Sequence, residues 1–177
     1  MAEALLRHRL RDRAPEVTIG SVGRLFEGEP ADRAAVAVLA KRTIDLGDFA
    51  SRRQSADRVA GTALVVGMER QHVRDLVVLA PDVLARSFTL PEVARRAEVV
   101  GARRPGQSLA EWATALGADR DHTDLLTADP DDEIPDPYGG SRRRFRRCAE
   151  QIDQHLDTLV ALAWPDPTTP APTRDRD

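Results

Sequence analysis

Helix and strand signals alternate along the first hundred residues, and that alternation predicts an α/β fold. The expected architecture is a three-layer open parallel sheet with helices on both faces. Two further observations agree. The run Thr62-Ala63-Leu64-Val65-Val66 is apolar without a break between Gly61 and Gly67, as suits a strand buried on both sides. Near the other end, Phe145, Cys148, Ile152, Leu156, Leu159 and Ala163 recur every three or four residues, so one face of a long helix must dock on that sheet.

The elements follow in order. Ala4, Leu5, Leu6 and Leu10 give residues 2–13 a modest helical stripe, which Pro15 ends. Val17-Thr18-Ile19 carries the β-branched enrichment of a short strand. Gly20, Gly23 and Gly28 mark a loop, and an alanine-rich helix spans 31–42. Residues 44–61 are polar and irregular, with one candidate helical turn at 55–60. After the strand at 62–66 come a helix at 69–79, a strand at 86–90, and a helix from Pro91 to Val100. The later half holds a helix at 108–116, an acidic loop at 124–136 and the long helix at 141–164.

The chain has 177 residues, enough for one domain, expected over 1–164. The tail from Pro165, PDPTTPAPTRDRD, is too polar and proline-rich to join the core and is expected to be disordered. Lys and Arg total 26 against 29 Asp and Glu, a net charge of −3, which argues against a dedicated nucleic-acid binder. The basic run Arg142-Arg143-Arg144-Phe145-Arg146-Arg147 reads better as a helix face, with Phe145 turned inward. No stretch approaches the ~18–20 apolar residues of a membrane span. MAEALLRHRL lacks the apolar centre of a signal peptide, so a cytoplasmic location is expected.

Most candidate chemistry falls away on inspection. The single cysteine, Cys148, excludes an internal disulfide and any cysteine-rich zinc site. It lies in the apolar stripe of the last helix, and Gln154 stands six positions later where a phosphatase-type cysteine needs arginine. His8, His72, His122 and His155 are spaced too widely to pair as metal ligands. Asp129-Pro130-Asp131-Asp132-Glu133 lacks the alternating ligands and mid-loop glycine of a calcium loop. No metal and no cofactor are expected. One stretch stands out: Ile134-Pro135-Asp136-Pro137-Tyr138-Gly139-Gly140. Prolines on both sides restrict the backbone around Asp136, so the loop can hold one carboxylate over a pocket with Tyr138 as an aromatic wall.

Asp136-Pro137-Tyr138 directly before the last helix resembles the general-acid loop of the low molecular weight protein-tyrosine phosphatases. Other stretches resemble the same family in the same order. Met1-Ala2-Glu3-Ala4-Leu5 is similar to the helix after its phosphate loop, and Ser21-Val22-Gly23 to its S-A-G-T-like turn. Ile44-Asp45-Leu46 through Ser51-Arg52 resembles the stretch beside its pocket, and Val65 to Leu76, with Met68 and Glu69, its third strand and following helix. Phe49 stands where the family pattern has histidine. The family's C-x5-R-S-P loop is not found in these 177 residues.

The resemblance implies phosphate monoester hydrolysis through a phosphocysteine. Asp136 would be the catalytic acid, and Tyr138 and Arg52 substrate-binding residues. Without the nucleophile loop the chain is expected to be inactive as it stands. A start codon assigned at an internal methionine of a full-length phosphatase is the favoured expectation. A non-catalytic phosphoprotein- or anion-binding relative is the alternative. With the loop restored, the partner would be a phosphotyrosine protein or a small aryl phosphate, with no nucleic acid and no membrane. An arsenate reductase on the same fold would need further redox cysteines. The family's strand order, 2-1-3-4, also implies that the strands at 17–19 and 62–66 flank a central position. Either a slot of about 9–10 Å or a displaced second strand is expected there, with a poorly folded or aggregation-prone chain.

Overall fold

A computed structural model describes residues 1–120, 123 and 129–166. Seven α-helices are described: α1 (Ala2–Leu10), α2 (Arg33–Ala40), α3 (Ala56–Val59), α4 (Arg70–Leu79), α5 (Leu90–Val100), α6 (Leu109–Leu116) and α7 (Arg142–Ala163). Two strands, β1 (Val65–Gly67) and β2 (Ser87–Thr89), pair in parallel, with Val65 opposite Ser87, Val66 opposite Phe88 and Gly67 opposite Thr89. The crossover between them is α4 and a 3-10 turn, Pro81–Arg86.

The alternation of strand side chains separates two layers of helix. Val65 joins a small core with Val59, Leu76, Ala80 and Val83 on the α3–α4 side. Val66 and its ladder partner Phe88 face the main core, built from α1, α2, α5, α6 and α7. α7 is the axis of that core. Its buried positions Phe145, Cys148, Ile152, Leu156, Leu159 and Ala163 lie on one face, and it packs against α5, α2 and α1. Fully burying each large apolar side chain there is worth about 1.5–3 kcal/mol.

Local chemistry sets the helix ends. Asp32 caps α2 by accepting the Ala34 N–H at 2.7 Å. Thr89 with Glu92, and Ser108 with Glu111, form reciprocal capping boxes that start α5 and α6. Ser141 accepts the Arg144 N–H and starts α7. At the end of β1 only glycine fits: a Cβ on Gly67 would lie 2.9 Å from Val73 Cγ2 and 3.1 Å from the Glu69 carbonyl. That close approach lets the chain turn straight from strand to helix.

The expected strand at 17–19 is not formed. A strand persists only where a neighbour takes its N–H and C=O groups, and here two of those groups bond elsewhere. The Val17 N–H bonds the Ala14 carbonyl, and the Ile19 carbonyl accepts the Arg7 guanidinium. Parallel pairing resumes only as one bridge between Gly23 and Arg53. The strand expected at 62–66 is shorter and displaced, beginning at Val65. The expected tail beyond Asp166 and the first part of the acidic loop, 124–128, lie outside the described residues, as does His122.

Candidate active site around Asp136

Residues 133–136 are fastened by three hydrogen bonds to Met68, Glu69 and Arg70, the residues that follow β1. The Ile134 N–H donates to the Met68 carbonyl at 2.8 Å. The Arg70 N–H donates to the Glu133 carboxylate at 3.0 Å, and the Asp136 N–H to the Glu69 carboxylate at 3.1 Å. Deeper in, the Arg70 guanidinium, 5% exposed, meets the buried Asp132 carboxylate at 3.0 Å. Arg95 closes on the same carboxylate at 2.8 Å. Buried opposite charges this well bonded leave little freedom to the segment between them.

The tip of the loop folds on itself. The Asp136 carboxylate accepts the Tyr138 N–H at 2.9 Å, and the Gly140 N–H bonds the Pro137 carbonyl at 2.9 Å. Gly139 sits at φ +71°, the left-handed region that suits glycine. Pro137 is buried, while Asp136 and Tyr138 face solvent.

Behind the loop lies Cys148, buried in α7. Burial pushes its thiol up, the Met1 amino group and Arg144 pull it down, and Asp136 adds to the rise. A buried thiol with a raised pKa is a poor nucleophile.

Arg52 is held elsewhere. Its guanidinium meets both carboxylate oxygens of Glu3 at 3.2 Å, and Glu3 is also bonded by the Ser21 hydroxyl and by Arg7. Burial pushes the Glu3 carboxyl up. The hydrogen bonds from Ser21 and Arg7 and the charge of Arg52 outweigh it and hold the group below its ordinary value. The pair ties the 51–54 segment to the first turn of α1. Glu3, Ser21, Glu69, Arg70 and Asp132 are the residues around the candidate site that motif reading did not single out for a role. Glu3, Ser21, Glu69 and Arg70 lay inside stretches already noted for resemblance, and Asp132 did not. Among the described residues no cluster of three or more His, Cys, Asp or Glu side chains could hold a metal ion.

The family model for low molecular weight phosphotyrosine protein phosphatase matches residues 1–99. The chain belongs to this family. It is 30% identical over 165 residues to a low molecular weight protein-tyrosine-phosphatase of Streptomyces coelicolor, covering 91% of this chain and 83% of that one. The phosphatase Etp of Escherichia coli K12 is 27% identical over 103 residues, covering 58% of this chain and 70% of Etp. Among solved structures, the low molecular weight protein tyrosine phosphatase from T. tengcongensis superposes with a TM-score of 0.63 at 24% identity, covering 90% of this chain and 86% of that one. The Erwinia amylovora tyrosine phosphatase amsI also gives 0.63, at 21% identity, with 90% and 80% covered. Both show the low molecular weight phosphatase fold. The family-model match ends at residue 99, so it includes Arg52 and stops before Asp136 and Tyr138. Among the described residues no helix is long and apolar enough to cross a membrane.

Proposed function

We propose that this chain supplies the acid side of a phosphomonoester hydrolysis, with Asp136 as the proton donor and later the base. The supporting observation is that the solvent-facing Asp136, directly before α7, has its backbone N–H held by the Glu69 carboxylate just past β1 at 3.1 Å. A phosphate bound at the amino end of α1 gains from the aligned N–H groups and the positive end of the dipole. A carboxylic acid beside it can protonate a departing phenolate, then draw a proton from attacking water. Tyr138, 66% exposed beside Asp136, would flank an aromatic leaving group. Arg52 would act on substrate only if the Glu3 pair opened, so its part is to hold the pocket edge.

The nucleophile is the missing member. Cys148 is buried, its pKa is raised, and no arginine follows it six positions on. The 177 residues alone are therefore proposed not to turn over phosphate esters, and a C-x5-R-S-P loop joined ahead of Met1 to confer turnover on aryl phosphates or phosphotyrosine proteins. The location proposed is the cytoplasm, where a lone thiol stays reduced. The test is an aryl phosphatase assay on the chain with and without that loop, alongside Asp136→Asn. In the loop-bearing protein the substitution should slow substrates with poor leaving groups by ~10²-fold or more and those with good ones far less. Equal slowing would remove Asp136 from the acid role, and turnover by the 177 residues alone would overturn the assignment of the nucleophile.

A further inference from the structure

The basic run in the first turns of α7 does not simply face solvent. Arg142, Arg143 and Arg146 stand across a cleft of about 360 Å³ from Lys41 and Arg42 at the end of α2, over an apolar floor that includes Val38. Lys41 is the one lysine of the chain. Two of the five cations have carboxylate partners: Arg42 meets Asp153 at 2.9 Å and Arg146 meets Glu150 at 3.7 Å. Among the described residues Lys41, Arg142 and Arg143 have none. Three positive charges with no ion-pair partner among the described residues thus line one concave site between two helices, in a protein whose net charge is −3. The dipole of α7 adds to their field instead of offsetting it.

We propose that the α2–α7 cleft binds a compact polyphosphate anion, with Lys41, Arg142 and Arg143 taking its phosphates. Guanidinium groups match phosphate oxygens two at a time, and the ammonium supplies a further point charge. Three free cations call for closely spaced negative charges, more than one small anion carries. Glu150 and Asp153 end the basic lining along α7, and no aromatic side chain lines the cleft to stack on bases, so a long nucleic acid is disfavoured. The site shares no residue with the Asp136 loop and does not depend on the phosphatase reading.

Titration calorimetry of the full chain with inorganic tripolyphosphate, a nucleoside triphosphate and sulfate tests this, with circular dichroism confirming that each variant is folded. The expected result is saturable one-to-one binding of tripolyphosphate at 0.15 M salt. Lys41→Glu and Arg143→Glu should each weaken it by about 10-fold or more, and Arg147→Glu, outside the cleft, by less than about 3-fold. Nucleotide binding equal to tripolyphosphate would name the phosphate chain as the ligand; tighter nucleotide binding would add the nucleoside to it. Sulfate binding as tight as tripolyphosphate, a loss in Arg147→Glu matching that in Lys41→Glu, or no binding would overturn the proposal. So would tighter binding of single-stranded DNA that ignores Lys41→Glu.

Discussion

The Glu69 carboxylate accepts the backbone N–H of Asp136 at 3.1 Å, across 67 residues of sequence. Glu69 follows β1 and Asp136 precedes α7, so a side chain at the end of the sheet fixes the height of the loop that carries the candidate acid.

Removing that acceptor should loosen the loop without unfolding the chain. In a protein bearing a C-x5-R-S-P loop ahead of Met1, Glu69→Ala is expected to lower kcat on poor leaving groups by about 5–10-fold, the worth of one ordinary net hydrogen bond. Glu69→Gln keeps an oxygen in place and should recover most of the loss. Steady-state kinetics with a series of aryl phosphates reads the difference, and identical rates for the two variants would contradict it.

Asp132 should matter for stability more than any surface carboxylate. Asp132→Ala removes the carboxylate that meets the buried Arg70 at 3.0 Å, and a broken buried pair costs about 3–5 kcal/mol. Replacing both partners, Arg70→Met with Asp132→Leu, should restore much of that. Urea unfolding followed by tryptophan fluorescence would show it as a midpoint that falls in the single variant and recovers in the double one.

Glu3 sets an acid-dependent term. Its folded pKa lies below the ordinary value of 4.5, so the folded state binds the proton less readily than the unfolded chain does. The stabilisation is therefore present above that ordinary value and is lost as pH falls through the folded one. Glu3→Gln should be less stable than the parent chain at pH 6, with the gap closing toward pH 3. A gap constant across that range would show that the Ser21, Arg7 and Arg52 contacts do not depend on the charge of Glu3.

Gly140 has no room for a side chain. A Cβ there would lie 2.7 Å from the Pro137 carbonyl oxygen and 2.7 Å from Arg144 Cδ. The arginine can swing aside, but the carbonyl belongs to the turn that sets Asp136. Gly140→Ala should cost about 1–3 kcal/mol as overpacking, visible as a lower Tm.

What the sequence determined by itself was whatever depends on near neighbours. Capping residues and apolar periodicity marked α2, α4, α5, α6 and α7 to within about two residues, because a helix satisfies its own backbone. The expectation of a restrained Pro135-Asp136-Pro137 backbone is of the same local kind, since each proline acts on adjacent φ and ψ. Tertiary structure decided the rest. Val17-Thr18-Ile19 has strand composition but no ladder, because a strand needs a partner that composition cannot supply. Arg52, expected from the resemblance to bind substrate, pairs with Glu3, 49 residues away. Lys41 and Arg143 looked like separate surface charges until α2 packed against α7 and set them across one cleft. Charges find partners by distance in space, and only the packed chain fixes that distance.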